Sequence, residues 1–207
     1  MTRNQLIEMV EDRLVKYHAG VDTTEMFTPQ MIGIHLELAY STVLNQIIQK
    51  QQMQNGSSDL NSYATTYKDL EIKEDEVRGE KYIQLPVKPI DIMHNEAIRL
   101  VAPNKDKKSF FFSRIEGGQN VLMQCLDVNN RQDGVYYLDG EKIYFERINE
   151  DLETMQVVMI PSLQAQEDDV DITLPREGGT AVVDTCYNML IAKYNLPADN
   201  VNDQTIV

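Results

Sequence analysis

The stretch from Thr28 to Gln52, TPQMIGIHLELAYSTVLNQIIQKQQ, constrains this chain most, because it is the longest periodic run and reads as a helix apolar on two sides. Thr28 is placed to cap it, and Pro29 opens it where a missing N–H costs nothing. At 3.6 residues per turn, Ile32, Leu36, Ala39, Tyr40, Val43, Leu44 and Ile47 share one face, while Met31, Ile34 and Leu38 share a second, nearly opposite face that lasts two turns. A helix apolar on two sides needs two packing partners, and the chain has few other helices to offer. One face is therefore expected to meet another copy of the protein, and Ile32, Leu36, Tyr40, Val43 and Ile47 are assigned to that subunit contact.

The rest of the chain arranges itself around this helix. Residues 2 to 18 read as an amphipathic helix with Thr2 and Gln5 as a capping box and Leu6, Met9, Val10, Leu14 and Tyr17 on its stripe. From Tyr63 the pattern alternates, with Ala64, Thr66, Lys68, Leu70 and Ile72 on one side, and the charged turn KEDEVRGE returns the chain as KYIQLPV. That spacing predicts a hairpin over 63 to 87, weakly apolar and polar at its outer end, held by packing on another surface. Pro86, Pro89 and Pro103 restrict the next stretch to short extended pieces. In GVYYLDGEKIYFERI, Asp139-Gly140 between two alternating runs signals a type I′ hairpin. MQVVMIPSL adds a strand ended by Pro161. A last helix runs from just after Pro175 to Tyr194 with Val182, Cys186, Met189 and Leu190 on one stripe. Gly178 and Gly179 in its first turn imply either a later start or a close backbone contact. The fold class is α+β: an N-terminal helical hairpin with a long central helix, a β-rich middle with hairpins, and a C-terminal helix. A single domain over 1–207 is expected, its helical part about 1–55 and 175–195 and its β-rich part about 63–174.

Composition narrows the function classes. A net charge of −14 opposes tight nucleic-acid binding, which rests on neutralising phosphates; taken alone it reads as a device for solubility, and it would also suit a wall past which DNA slides without sticking. No apolar run is long enough for a transmembrane helix, so no membrane partner is expected. The segment MTRNQLIEMVEDR has no hydrophobic block before a cleavage site, so export by a signal peptide is not expected. Cys125 and Cys186 stand far apart with no second pair, which predicts buried thiols rather than a disulfide framework or metal site.

Candidate chemistry is thin. His94-Asn95-Glu96 matches the H-x-E of zinc deaminases, but no P-C-x-x-C follows. His35 has no histidine or glutamate one turn on, as a helical zinc pair needs, and reads as a partly buried structural residue. Cys186 lacks a downstream histidine and a strained nucleophile turn. Glu167, Asp168, Asp169 and Asp171 crowd oxygen ligands, yet the glycine and terminal glutamate of a calcium loop are missing. Lys105, Lys107 and Lys108 form a small basic turn, and neither glycine pair is followed by the Lys-Ser/Thr of a phosphate cradle. No catalytic residue, metal or cofactor is assigned.

Three stretches carry a resemblance: LPVKPIDIMHNEAIRLVAP (85 to 103), GVYYLDGEKIYF (134 to 145), and the closing series VVMIPSL, EDDVDITLP and a helix ending KYNLPADNVND. Together they resemble the structural proteins that form head-to-tail connector rings in short-tailed bacteriophages, in particular the crAss-like phages. The resemblance covers roughly the last two-thirds of the chain and contains no catalytic signature. It implies a virion protein assembled in the host cytoplasm, a homo-oligomeric ring of twelve copies coaxial with the DNA channel, akin to a gatekeeper or tail adaptor. The implied partners are the portal protein, adjacent ring or tail proteins, and DNA in transient, non-specific passage. Acidic residues lining the channel are assigned to Asp168, Asp169 and Asp171. The rival readings are a monomeric protein-binding module and a cytosolic hydrolase or metal enzyme.

Overall fold

The computed structural model describes residues 1–17, 26–55, 60–92, 97–103, 112–114, 134–146, 148, 152–164, 172, 174 and 178–194. It has the α+β organisation expected, with helices at both ends, a long central helix and a sheet between. The chain divides into two compact units. One comprises Met1–Tyr63, Asp91–His94 and Ser162–Val207; the other comprises Ala64–Ile90 and Asn95–Pro161.

The first unit is built from α1 (Arg3–Tyr17), α2 (Pro29–Asn55) and α3 (Gly178–Tyr194). The capping box at α1 is formed in both directions: Thr2 N–H donates to Gln5 Oε1 at 3.0 Å, and Gln5 N–H donates to Thr2 Oγ1 at 3.3 Å. Thr28 Oγ1 accepts from Met31 N–H at 3.3 Å, which caps α2 as its sequence anticipates. Leu6, Ile7, Val10 and Leu14 of α1 are buried; Met9 and Tyr17 lie half-exposed at the margin of that stripe. On α2 the buried column is Ile32, Leu36, Ala39, Tyr40, Val43, Leu44 and Ile48, and α3 contributes Val182, Val183, Cys186 and Leu190. Helix α2 packs on both α3 and α1, which also touch each other. Burying side chains of this kind contributes about 1.5–3 kcal/mol each relative to exposure.

Polar contacts fix how these helices meet. Arg13 on α1 forms an ion pair with Asp184 on α3. Glu37 on α2 accepts from the Leu163 and Gln164 N–H groups at 2.7 and 3.3 Å, tethering that segment to the helix. Both glycines of α3's first turn are helical and buried, and a Cβ on Gly179 would stand 3.0 Å from Met1 Sδ. The close contact, rather than a later helix start, accounts for a small residue there.

The second unit holds β1 (Thr65–Asp75), β2 (Glu80–Gln84), β3 (Ile98–Pro103), β4 (Ser113–Arg114), β5 (Val135–Asp139), β6 (Lys142–Glu146) and β7 (Thr154–Met159). They form one seven-stranded sheet in the order β3-β7-β1-β2-β6-β5-β4. All neighbours are antiparallel except the two-residue pairing of β4 with β5. Pro103 ends β3 at an edge of the sheet, where a missing N–H is tolerated. The core face gathers Ile83, Val101, Tyr136, Ile143, Phe145, Met155, Val157 and Met159.

Two local expectations change. Strict alternation along β1 set Tyr67 opposite Leu70 and Ile72, but the pairing with β7 slips between Tyr67↔Val157 and Leu70↔Met155. Asp69 takes a φ of 58° at this bulge, so Tyr67, Leu70 and Ile72 all pack on the core face. The β5–β6 turn is centred on Gly140-Glu141, one residue later than anticipated, since Asp139 pairs with Lys142. Only Gly140 of the two has positive φ, the pattern of a type II′ turn rather than type I′.

Candidate functional site

The most elaborate side-chain arrangement sits on the face of the sheet away from its core. Cross-strand register sets Lys73, Tyr82, Tyr144 and Tyr137 in one row across β1, β2, β6 and β5. Tyr137 stacks on Tyr144 with ring centroids 5.2 Å apart and planes 11° from parallel, and Tyr82 flanks Tyr144 at 5.5 Å. Two cations cover the row: Arg78 lies 4.6 Å above the Tyr144 ring, and Lys142 lies 4.3 Å from the Tyr82 ring.

This row clamps the turn of the β1–β2 hairpin. Asp75 Oδ1 accepts from the Val77 and Arg78 N–H groups at 3.1 and 3.3 Å, an Asx turn, and Gly79 N–H donates to Asp75 O at 2.7 Å. Gly79 supplies the positive φ, 67°, that the turn needs. Asp75 Oδ2 accepts from Tyr144 OH at 2.9 Å and lies 3.8 Å from Lys142 Nζ. The Arg78 guanidinium donates to Asp139 Oδ2 at 2.8 Å, and Tyr137 OH donates to Glu80.

The electrostatics follow from these contacts. The hydrogen bond from Tyr144, aided by the Val77 and Arg78 N–H groups and Lys142, holds the Asp75 carboxyl below its usual range. Burial, followed by its bond to Glu80, pushes the Tyr137 hydroxyl up to about 12. Bonding to Asp139, then to Tyr137, raises the Arg78 guanidinium further. Asp75, Arg78 and Glu80 are thus engaged by the sheet, whereas Val77 projects outward with 95% of its surface exposed.

The second feature is the outer ridge of α2. Ile34 and Leu38, one helical turn apart, are 54% and 57% exposed, and Met31 beside them is half-buried under Tyr194, whose hydroxyl lies 3.1 Å from Met31 Sδ. His35 sits between them, with Nδ1 2.9 Å from Met31 O and Nε2 3.3 Å from Lys193 Nζ. A carbonyl only accepts and an ammonium only donates, so Nδ1 carries the proton and Nε2 accepts. His35 is therefore a structural residue linking α2 to α3.

The residues assigned to a subunit contact fall elsewhere. Ile32, Leu36, Tyr40 and Val43 are buried within the chain's own helical unit and Ile47 is half-buried. The helix packs on α3 and α1, and among its described residues Ile34 and Leu38, with Met53 near its end, are the large apolar side chains left exposed. Asp168, Asp169 and Asp171, with His94, Cys125 and the Lys105, Lys107 and Lys108 turn, lie outside the described residues. Cys186 is buried, and that burial pushes its thiol up to about 12. Sequence reasoning passed over Val77 and the tyrosine row. The available signal was one aliphatic residue within KEDEVRGE, alongside tyrosines at matching strand positions.

Among the described residues no group of three or more His, Cys, Asp or Glu side chains is arranged to hold a metal ion, and no helix is long and apolar enough to cross a membrane. No protein-family model matches the chain, and no curated protein matches it at significance.

Proposed function

We propose that this chain is a non-enzymatic structural protein of a virion, whose copies lie side by side as a ring in the head-to-tail connector of a short-tailed, crAss-like phage. The ring joins the portal to the tail and surrounds the channel by which DNA leaves. The observation that carries this reading is the outer ridge of α2, where Ile34 and Leu38 stay exposed although the opposite face of the same helix is buried. An apolar surface of this kind gains free energy on meeting another chain. The net charge of −14 supports the same reading, since a negatively charged channel wall lets a polyanion pass without adhering.

Solution mass measured with and without the portal protein tests the ring, and electron microscopy of purified particles tests its place. An oligomer of identical copies on the portal is expected. A chain that stays monomeric with portal present, and that is absent from particles, overturns the reading. A monomeric protein-binding module is the second reading, favoured by the shortness of the ridge. A stable interface buries about 800 Å² on each partner, more than two side chains supply. A one-to-one complex with a different protein, without self-association, would select that module.

A further inference from the structure

Among the exposed apolar residues described, Val77 on its turn and the Ile34–Leu38 ridge of α2 stand beside charges of opposite sign, Glu76 and Lys193. Residues spaced i, i+3, i+4 and i+7 on a helix surround a hole that accepts one side chain from a neighbour. On α2 these are Met31, Ile34, His35 and Leu38, with Ile34 and Leu38 open to solvent. The floor is the His35 ring, fixed by its bonds to Met31 O and Lys193 Nζ. Lys193, an exposed residue of α3, sets a positive charge at the rim.

Val77 is a compact, branched knob of the size such a hole takes. Its turn is held by the Asp75 carboxylate, the Arg78–Asp139 bond and the Arg78–Tyr144 contact, so docking it orders little new backbone. Glu76, next in the chain, is exposed and forms no ion pair among the described residues. It brings a negative charge towards a rim that carries Lys193.

We infer that Val77 of one copy seats in the hole formed by Met31, Ile34, His35 and Leu38 on α2 of the next copy, with Glu76 facing Lys193. The contact is heterologous, since each copy offers a knob to one neighbour and a hole to the other. Contacts of that type close into rings when the rotation between copies permits. The inference rests on the homo-oligomeric reading above and adds the pair of surfaces that make it.

A benzophenone-bearing residue in place of Glu74 tests the pairing in the full-length chain, because that position is exposed beside the turn and leaves the Val77 knob intact. After irradiation, copy-to-copy adducts mapping to the peptide from Met31 to Leu38 are expected. Adducts confined to other segments of a second copy overturn the pairing but leave self-association standing. Sedimentation showing only monomer, with no copy-to-copy adduct, overturns both. A charge exchange supplies a second measurement: Glu76→Lys and Lys193→Glu each weaken self-association several-fold, and together they restore most of it. Losses that simply add, with no recovery, also overturn the pairing.

Discussion

The two faces of α2 carry the same kinds of side chain and meet opposite fates. Leu36 and Ile32 are wholly buried on a helix that packs against α1 and α3, whereas Leu38 and Ile34, a few residues away on the same backbone, stay more than half exposed. Apolar periodicity therefore reports that a face will be covered somewhere, not by what. The inner face is the part of α2 that folding requires, and the outer ridge is the part that folding leaves exposed.

The contrast can be broken most sharply from the inside. Leu36→Ala should cost about 2–5 kcal/mol of stability by denaturant unfolding, as expected for a leucine removed from a close-packed core. A loss below about 1 kcal/mol would mean that the inner face is not a real core. In the β unit, Gly140→Val places a β-branched residue at a φ of 63° and should cost about 1–3 kcal/mol. An unchanged thermal midpoint would argue that the turn can shift its centre.

A subtler outcome is expected at the hairpin clamp, and it depends on pH. Because the Asp75 carboxyl is held below its usual range in the fold, its contribution is complete above the unfolded value near ~4 and fades as pH falls through the lower folded value. Asp75→Asn should therefore lower the thermal midpoint at neutral pH, with the gap from the parent chain closing under strong acid. A gap that stays constant down to acid pH would show that the carboxylate charge plays no part. The smallest effect on folding belongs to the outer ridge. Leu38→Glu should change stability by no more than about 0.5 kcal/mol while abolishing association between copies. Equal losses from Leu38→Glu and Leu36→Ala would erase the distinction between the two faces.

Much of the fold was legible because its signals act over three or four residues. Thr2 with Gln5 and Thr28 with Met31 form bonds that the local sequence dictates, so both helix starts follow from spacing alone. The β5–β6 hairpin was legible for the same reason, although its turn lies one residue further on, where Gly140 supplies the single positive φ. The bulge at Lys68-Asp69 was not legible. It reverses the parity of β1 to suit Val157 and Met155 on β7, and those partners are remote in sequence. The candidate site was less legible still. The subunit contact was assigned to the longer apolar face of α2, because burial by α3 depends on a helix that begins more than a hundred residues later. The tyrosine row was hidden by the same distance, since Tyr82, Tyr137 and Tyr144 meet only once strand register is set.

What the sequence determined by itself was the inventory: three helices, two of them with marked caps, two glycine-marked hairpins, a strongly acidic composition and an excess of apolar helix face. Tertiary structure decided how that inventory is used, enclosing Leu36, exposing Leu38, moving Tyr67 onto the core face and fixing the turn that presents Val77. The physical reason is range. Caps and turns are set by bonds between near neighbours, whereas burial is set by whichever distant segment arrives to exclude water.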